Sequence, residues 1–132
     1  MPFLKETRRM NLKVRTARIG LTSQLHDLIE RRVHYALSRF SPQVSRVSVL
    51  IEDVNGVRGG VDKRCEIAVL IKRGGELRAA ATDAVIEPAI AMAADRIGRA
   101  VQRKLELRRE VRRASATSDR TLREYDGAPQ DS

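Results

Sequence analysis

Tryptophan is absent from this chain, and two tyrosines, two phenylalanines and one cysteine are spread over 132 residues. Each scarcity removes a class of function. With Cys65 alone, no disulfide can form within the chain, which fits a reducing compartment. There are too few aromatic rings for a surface that stacks successive bases, as RNA-recognition motifs and single-strand binders do. No apolar run is long enough to span a bilayer, and Met1–Arg9 has no signal-peptide core. The sequence therefore reads as a cytoplasmic protein with no membrane partner. No cluster of Cys, His, Asp and Glu has the spacing of metal ligands, so neither a metal nor another cofactor is expected. A nucleophile and base made of Cys65 with His26 or His34 is disfavoured. Cys65 alternates with Ile67 and Val69 and so turns to the core, while both histidines fall on the polar side of a helix. Enzymatic activity is not expected.

What the chain has is positive charge. Lys and Arg number 26 against 17 Asp and Glu, giving a net charge of +9 and a pI near 10.7. Such a balance favours a phosphate-rich partner and says nothing about fold. Much of the excess lies on one rod. From Val85 to Arg113 the pattern reads as a single helix, with Ile86, Ile90, Ala93, Ala94, Ile97 and Val101 as its apolar stripe. Arg96, Arg99 and Arg103 flank the stripe. Lys104, Arg108 and Arg112 fall on the line of the stripe itself, so that it turns cationic along its length. A helix of that span is roughly 40 Å long, against about 20 Å for a typical strand. A solvated helix end laced with i, i+4 ion pairs is the bland alternative. The one-sided excess favours contact with a nucleic acid.

Ahead of that rod the pattern is regular. Met1–Arg9 is a polar extension. Leu12, Val14 and Thr16 alternate as a half-buried strand. Thr22 or Ser23 can cap a helix carrying Leu25, Ile29, Val33, Leu37 and Phe40, which Ser41-Pro42 stops. Val47, Val49 and Ile51 make a second strand, and Cys65, Ile67, Val69 and Ile71 a third. Gly74-Gly75 signals a hairpin into a fourth strand with Leu77, Ala79 and Ala81. Residues 114–132, rich in Ser, Thr, Asp, Gly and Pro, read as a disordered tail. The order β-α-β-β-β-α over residues 10–113 predicts a two-layer α+β domain, a four-stranded sheet with both helices on one face. The other face would carry Lys13, Arg15 and Arg78 among Leu50, Ala68, Leu70 and Ala80, an open surface able to support a weak homodimer. Arg31 and Arg32 would widen the basic surface. The loop Asn55–Lys63 offers glycine amides with Arg58 and Lys63 to a phosphate. It lacks the lysine-serine or lysine-threonine ending of a P-loop. Its glycines would equally serve a hairpin turn, and both readings stand.

Three stretches carry a resemblance: Gly74-Gly75-Glu76-Leu77-Arg78-Ala79-Ala80-Ala81, Asp95-Arg96-Ile97-Gly98-Arg99-Ala100-Val101-Gln102-Arg103, and the loop from Asp53 to Cys65. Over Met10–Arg109 the chain resembles the ribosome hibernation factors. These are the hibernation-promoting factors and ribosome-associated inhibitors, formerly called sigma-54 modulation or ribosomal subunit interface proteins. Members carry an acidic residue, Met or Leu, then Tyr at the start of the last helix; here Val85-Ile86-Glu87 stands there, followed by Pro88. The resemblance implies a divergent, short, single-domain member that binds the small ribosomal subunit near the decoding site and messenger path. It also implies contacts to ribosomal RNA at Arg96, Arg99 and Arg103. The implied function is translational repression in stress or stationary phase, without catalysis. A general double-stranded-RNA or nucleic-acid-binding module with no ribosome role is the alternative.

Overall fold

The computed structural model describes residues 11–54 and 62–125, with side chains as far as residue 116. The expected strands and helices are present in the expected order. They are β1 (Leu12–Ala17), α1 (Ser23–Leu37), β2 (Val44–Asp53), β3 (Lys63–Ile71), β4 (Gly75–Asp83) and α2 (Ile86–Tyr125). The strands form one mixed sheet in the order β1-β2-β3-β4, with β1 parallel to β2 and the other pairs antiparallel. A parallel neighbour requires a crossover, and α1 supplies it.

Side-chain alternation fixes which face is buried. The register aligns Leu12, Val47, Val69 and Leu77 in one row, Val14, Val49, Ile67 and Ala79 in the next, and Thr16, Ile51, Cys65 and Ala81 in a third. The β2 and β3 members of these rows are fully enclosed. Ile29, Val33 and Leu37 of α1, with Ala89, Ile90, Ala93, Ala94, Ile97 and Val101 of α2, complete the core. Burying each large aliphatic contributes about 1.5–3 kcal/mol, which offsets the entropy of ordering the chain.

Local chemistry sets the ends. Thr22 caps α1, its Oγ1 accepting from the Leu25 amide at 3.1 Å. Pro42 does not stop the α-helix by itself. The chain tightens into a 3-10 segment, Ser38–Gln43, that contains it, and a short 3-10 stretch at a helix end is common. The Asp83 carboxylate accepts from the Val85 amide at 2.9 Å just before α2. Pro88 then falls in the first turn of α2, where its missing N–H costs no helical hydrogen bond. The β3–β4 turn holds Arg73 at φ 59° and Gly75 at φ 78°, and the latter is where glycine is needed.

The end of α2 differs from the sequence reading. The helix runs to Tyr125, through residues that polarity alone assigned to the tail beyond Arg113. Ala114, Ala116 and a series of arginines favour helix, and the first glycine or proline beyond is Gly127. The chain divides into two units, Met1–Val101 and Gln102–Ser132. The boundary falls within α2.

Candidate nucleic-acid interface

In the first unit, the tight contact between α1 and α2 sets where α2 points its cations. A Cβ at Gly98 would come within 3.2 Å of the Ala36 carbonyl oxygen and 3.5 Å of the Ala36 Cβ. Glycine inside a helix costs about 1 kcal/mol relative to alanine; here it permits the close approach. With Ile97 buried beside Gly98, Arg96 and Arg99 turn outward and are exposed. Both are engaged. The Arg96 guanidinium donates to the Ala80 carbonyl of the edge strand β4 at 2.6 Å. Arg99 pairs with Asp95 one turn earlier at 2.6 Å, with both side chains more than half exposed. Neither contact consumes all five donors of a guanidinium, and both arginines keep N–H groups toward solvent.

The second unit opens on a basic stretch of α2. Residues 102–116 hold six cations, Arg103, Lys104, Arg108, Arg109, Arg112 and Arg113, against Glu106 and Glu110. Glu106 accepts from the Gln102 side-chain amide at 3.1 Å. Arg103 is exposed, and Lys104 and Arg108 are half-buried. Lys104, Leu107, Arg108, Val111 and Arg112 line a shallow depression, so cations and exposed aliphatics share one face of this part of α2. This matches the expected conversion of the stripe from apolar to cationic.

The sheet cations are of two kinds. Lys13 and Arg15 on the edge strand β1 are exposed on the face away from the helices. Arg46 of β2 joins them there. It was missed in the sequence, although it falls in phase with Ser48 and Leu50. Across β2, β3 and β4 the charges instead form a ladder. Arg64 reaches Glu52 at 3.3 Å and Glu66 at 3.6 Å, while Arg78 reaches Glu66 at 3.3 Å and Glu76 at 3.2 Å. Arg78 is thus flanked by two carboxylates. Lys63 is the first residue of β3 rather than part of a loop, and its Nζ lies 2.9 Å from Asp62 and 3.7 Å from Asp53. The hydrogen bond to Asp62 raises the pKa of Lys63, assisted by the charge of Asp53. Asp62 is the buried acid of this group, 2% exposed. Arg58 lies outside the described residues.

Among the described residues, the remaining chemistry-bearing groups assemble no catalytic pair. Cys65 is buried, and loss of hydration pushes its thiol up to about 12, so it stays protonated at neutral pH. His26, Asp27 and Glu30 bring ligand-type atoms within 4.8 Å of one another on α1. They are three neighbours on one solvated helical flank. Among the described residues, no helix is long and apolar enough to cross a membrane.

Comparison with known proteins decides the family. Residues 12–109 match the family described as sigma 54 modulation protein / S30EA ribosomal protein. The chain belongs to this family. The match starts on the first residue of β1 and ends within α2, nearly coinciding with the Met10–Arg109 span of the sequence resemblance. Two solved structures are similar. One is the crystal structure of the Thermus thermophilus Protein Y N-terminal domain, with a TM-score of 0.61 and 25% identity, covering 71% of this chain and 98% of that one. The other is a ribosomal subunit interface protein from Coxiella burnetii, with a TM-score of 0.62 and 12% identity, covering 71% and 96%. At its low identity the second shows the fold alone. A search of curated proteins finds no match. Membership of this family makes the chain a protein of the S30EA ribosomal-protein type.

Proposed function

We propose that this chain is a cytoplasmic, non-enzymatic factor that binds the small ribosomal subunit and occupies its decoding and messenger channel. There it would exclude messenger and transfer RNA and repress translation under stress. The observation that carries the reading is the run of cations along α2: the exposed Arg96 and Arg99 in the first unit, and in the second the exposed Arg103 with the half-buried Lys104 and Arg108. Guanidinium groups pair with phosphate in a bidentate manner and are weakly hydrated, so they suit an RNA-lined channel. Affinity would come mainly from these pairs, with release of counterions, and would carry little base specificity. Lys13, Arg15 and Arg46 on the open sheet would add phosphate contacts.

Changing Arg96, Arg99 and Arg103 together to Glu tests the proposal. The fold is expected to persist, because none of the three lies in the core; circular dichroism checks this. Co-sedimentation with small subunits is expected to be lost at moderate salt. Each single change should lower the slope of log K against log salt by roughly 0.7–0.9. A folded triple variant that still sediments with ribosomes would reject the reading. Competition separates the alternative of a general duplex-RNA binder. Duplex RNA at equal phosphate concentration should displace the chain from subunits only weakly.

A further inference from the structure

A second exposed surface of distinct chemistry lies on α1. Taking about 100° per residue, Arg31, Tyr35 and Arg32 follow one another around the side of α1 opposite the core residues Ile29, Val33 and Leu37, while Glu30, His34 and Asp27 lie between Arg31 and the core. Tyr35 is the most exposed large hydrophobic side chain among the described residues, at 86%. Arg31 and Arg32 stand one turn before it and are also exposed. None of the three has a hydrogen-bond, ion-pair or ring partner among the described residues. The next arginine, Arg39, is already held over the Phe40 ring at 4.7 Å.

In a chain with four aromatic residues, leaving one in water between two arginines needs an account. Burial does not supply it: among the described residues, Phe40 is the aromatic used in the core. The flank also has a defined orientation. Arg32 lies one turn before Ala36, the residue that meets Gly98 of α2, so the Arg32 side of α1 is the side turned toward α2. Within the first unit, the Arg31–Tyr35 flank and the outward Arg96 and Arg99 therefore belong to the same helical layer.

We infer that the Arg31, Arg32 and Tyr35 flank of α1 is a nucleotide-stacking site for an unpaired RNA base, with the two arginines on the adjoining phosphates. The phenol ring offers a flat face to an unpaired base, which a duplex would keep stacked within itself, and the two guanidinium groups one turn away supply charge for the adjoining phosphates. Stacking is indifferent to which base is presented, while the arginines select for the anionic backbone. An acidic peptide would satisfy the cations but leaves the ring without a flat partner, which favours nucleic acid. This inference rests on the ribosomal RNA reading of α2 and adds a second, chemically different contact to it.

The test uses the full chain with two probes, isolated small subunits and a fluorescein-labelled single-stranded oligouridylate. Tyr35→Leu keeps a helix-forming apolar residue and is expected to weaken oligonucleotide binding by roughly five- to one-hundred-fold, the range for one lost stacking contact. Its salt slope should not change, because no phosphate contact is removed. Tyr35→Phe should bind like the unaltered chain. Arg31→Gln and Arg32→Gln should each lower the salt slope by about 0.7, the value per phosphate on single strands. In a Tyr125→Phe background Tyr35 is the sole tyrosine, and its emission should be quenched on binding. Unquenched emission, or Tyr35→Leu binding as tightly as Tyr35→Phe, would overturn the inference. So would displacement of the oligonucleotide by polyglutamate at equal charge. If Tyr35→Leu binds small subunits normally while the Arg96, Arg99 and Arg103 variant does not, α1 has no stacking role and the α2 reading survives. If only the α1 changes matter, the α2 reading fails and the stacking site stands.

Discussion

Arg78 on the sheet and Arg103 on α2 carry the same charge in different settings. Across β2, β3 and β4, each of Arg64, Arg78 and Lys63 meets two carboxylates within 4.0 Å, and the charges cancel where they stand. In α2 from residue 102 to 116, six cations stand against two acids, Glu106 and Glu110. A cation that already has its counter-charge gives up an ion pair to bind phosphate, whereas one in water gives up only hydration and mobile counterions. The net charge of a protein therefore says that a polyanion is the partner. The pairing of individual residues says where it sits.

The largest effect that would sharpen this contrast is charge reversal on the second part of α2. Changing Arg103, Lys104 and Arg108 to Glu is expected to weaken small-subunit binding more than about a hundred-fold and to lower the salt slope by roughly two to three. Filter binding across a salt series measures both. Reversing Arg64 alone should alter affinity by less than about threefold, because its neighbours Glu52 and Glu66 already fix the local potential. Equal losses in the two variants would break the comparison.

The next effect is on stability. Asp62 is almost fully buried and accepts from Lys63. Asp62→Ala removes that hydrogen bond and should cost about 1–2 kcal/mol in urea unfolding, while leaving subunit affinity unchanged. The pH dependence has a definite sign. The pKa of Lys63 is raised above 10.5 in the folded chain. The stabilisation is therefore complete below pH 10.5 and fades as pH rises through the higher, folded value. As pH rises above 10.5, the gap between Asp62→Ala and the unaltered chain should narrow.

A smaller effect is expected at Arg78, which the sequence reading grouped with the RNA-contacting cations. Its side chain is 59% exposed and pairs with two acids, so Arg78→Gln should change stability by no more than about 0.5 kcal/mol. The salt slope of subunit binding should stay within experimental error. A drop of a full contact would show that Arg78 leaves its carboxylates for phosphate.

What was legible in the sequence follows from which contacts are local. The strands could be read because one face of the sheet is dry and the other wet, so Val47, Val49 and Ile51 alternate cleanly with Ser48 and Leu50. The Thr22 cap and the Gly75 turn depend on residues within three or four positions. Pairing states could not be read. Glu66 reaches Arg78 diagonally across two strands, and that geometry exists only once the register is fixed. The end of α2 was misplaced because polarity was taken for disorder, when no helix breaker occurs before Gly127. Gly98 gave a signal, a glycine inside a helical pattern, but nothing nearby in sequence names Ala36 as its reason. The exposure of Tyr35 was legible from its angle to Ile29 and Val33.

The smallest effect is the most diagnostic, because it changes sign. Asp95 and Arg99 are an exposed i, i+4 pair at 2.6 Å. Such pairs contribute about 0.3–0.5 kcal/mol to a helix, so Asp95→Asn should lower stability by that little. The same change removes a negative charge from the side of α2 that faces the proposed RNA and releases the Arg99 guanidinium. If α2 binds phosphate, affinity for small subunits should rise, by about two- to threefold at low ionic strength, and the gain should shrink as salt screens it. A structural role for the pair would give the opposite result, weaker binding in step with weaker folding. Filter binding of Asp95→Asn, Arg99→Gln and the double variant separates the two. In the phosphate-binding case the gain from Asp95→Asn vanishes when Arg99 is absent, and the cycle closes with a coupling of the same size as the gain.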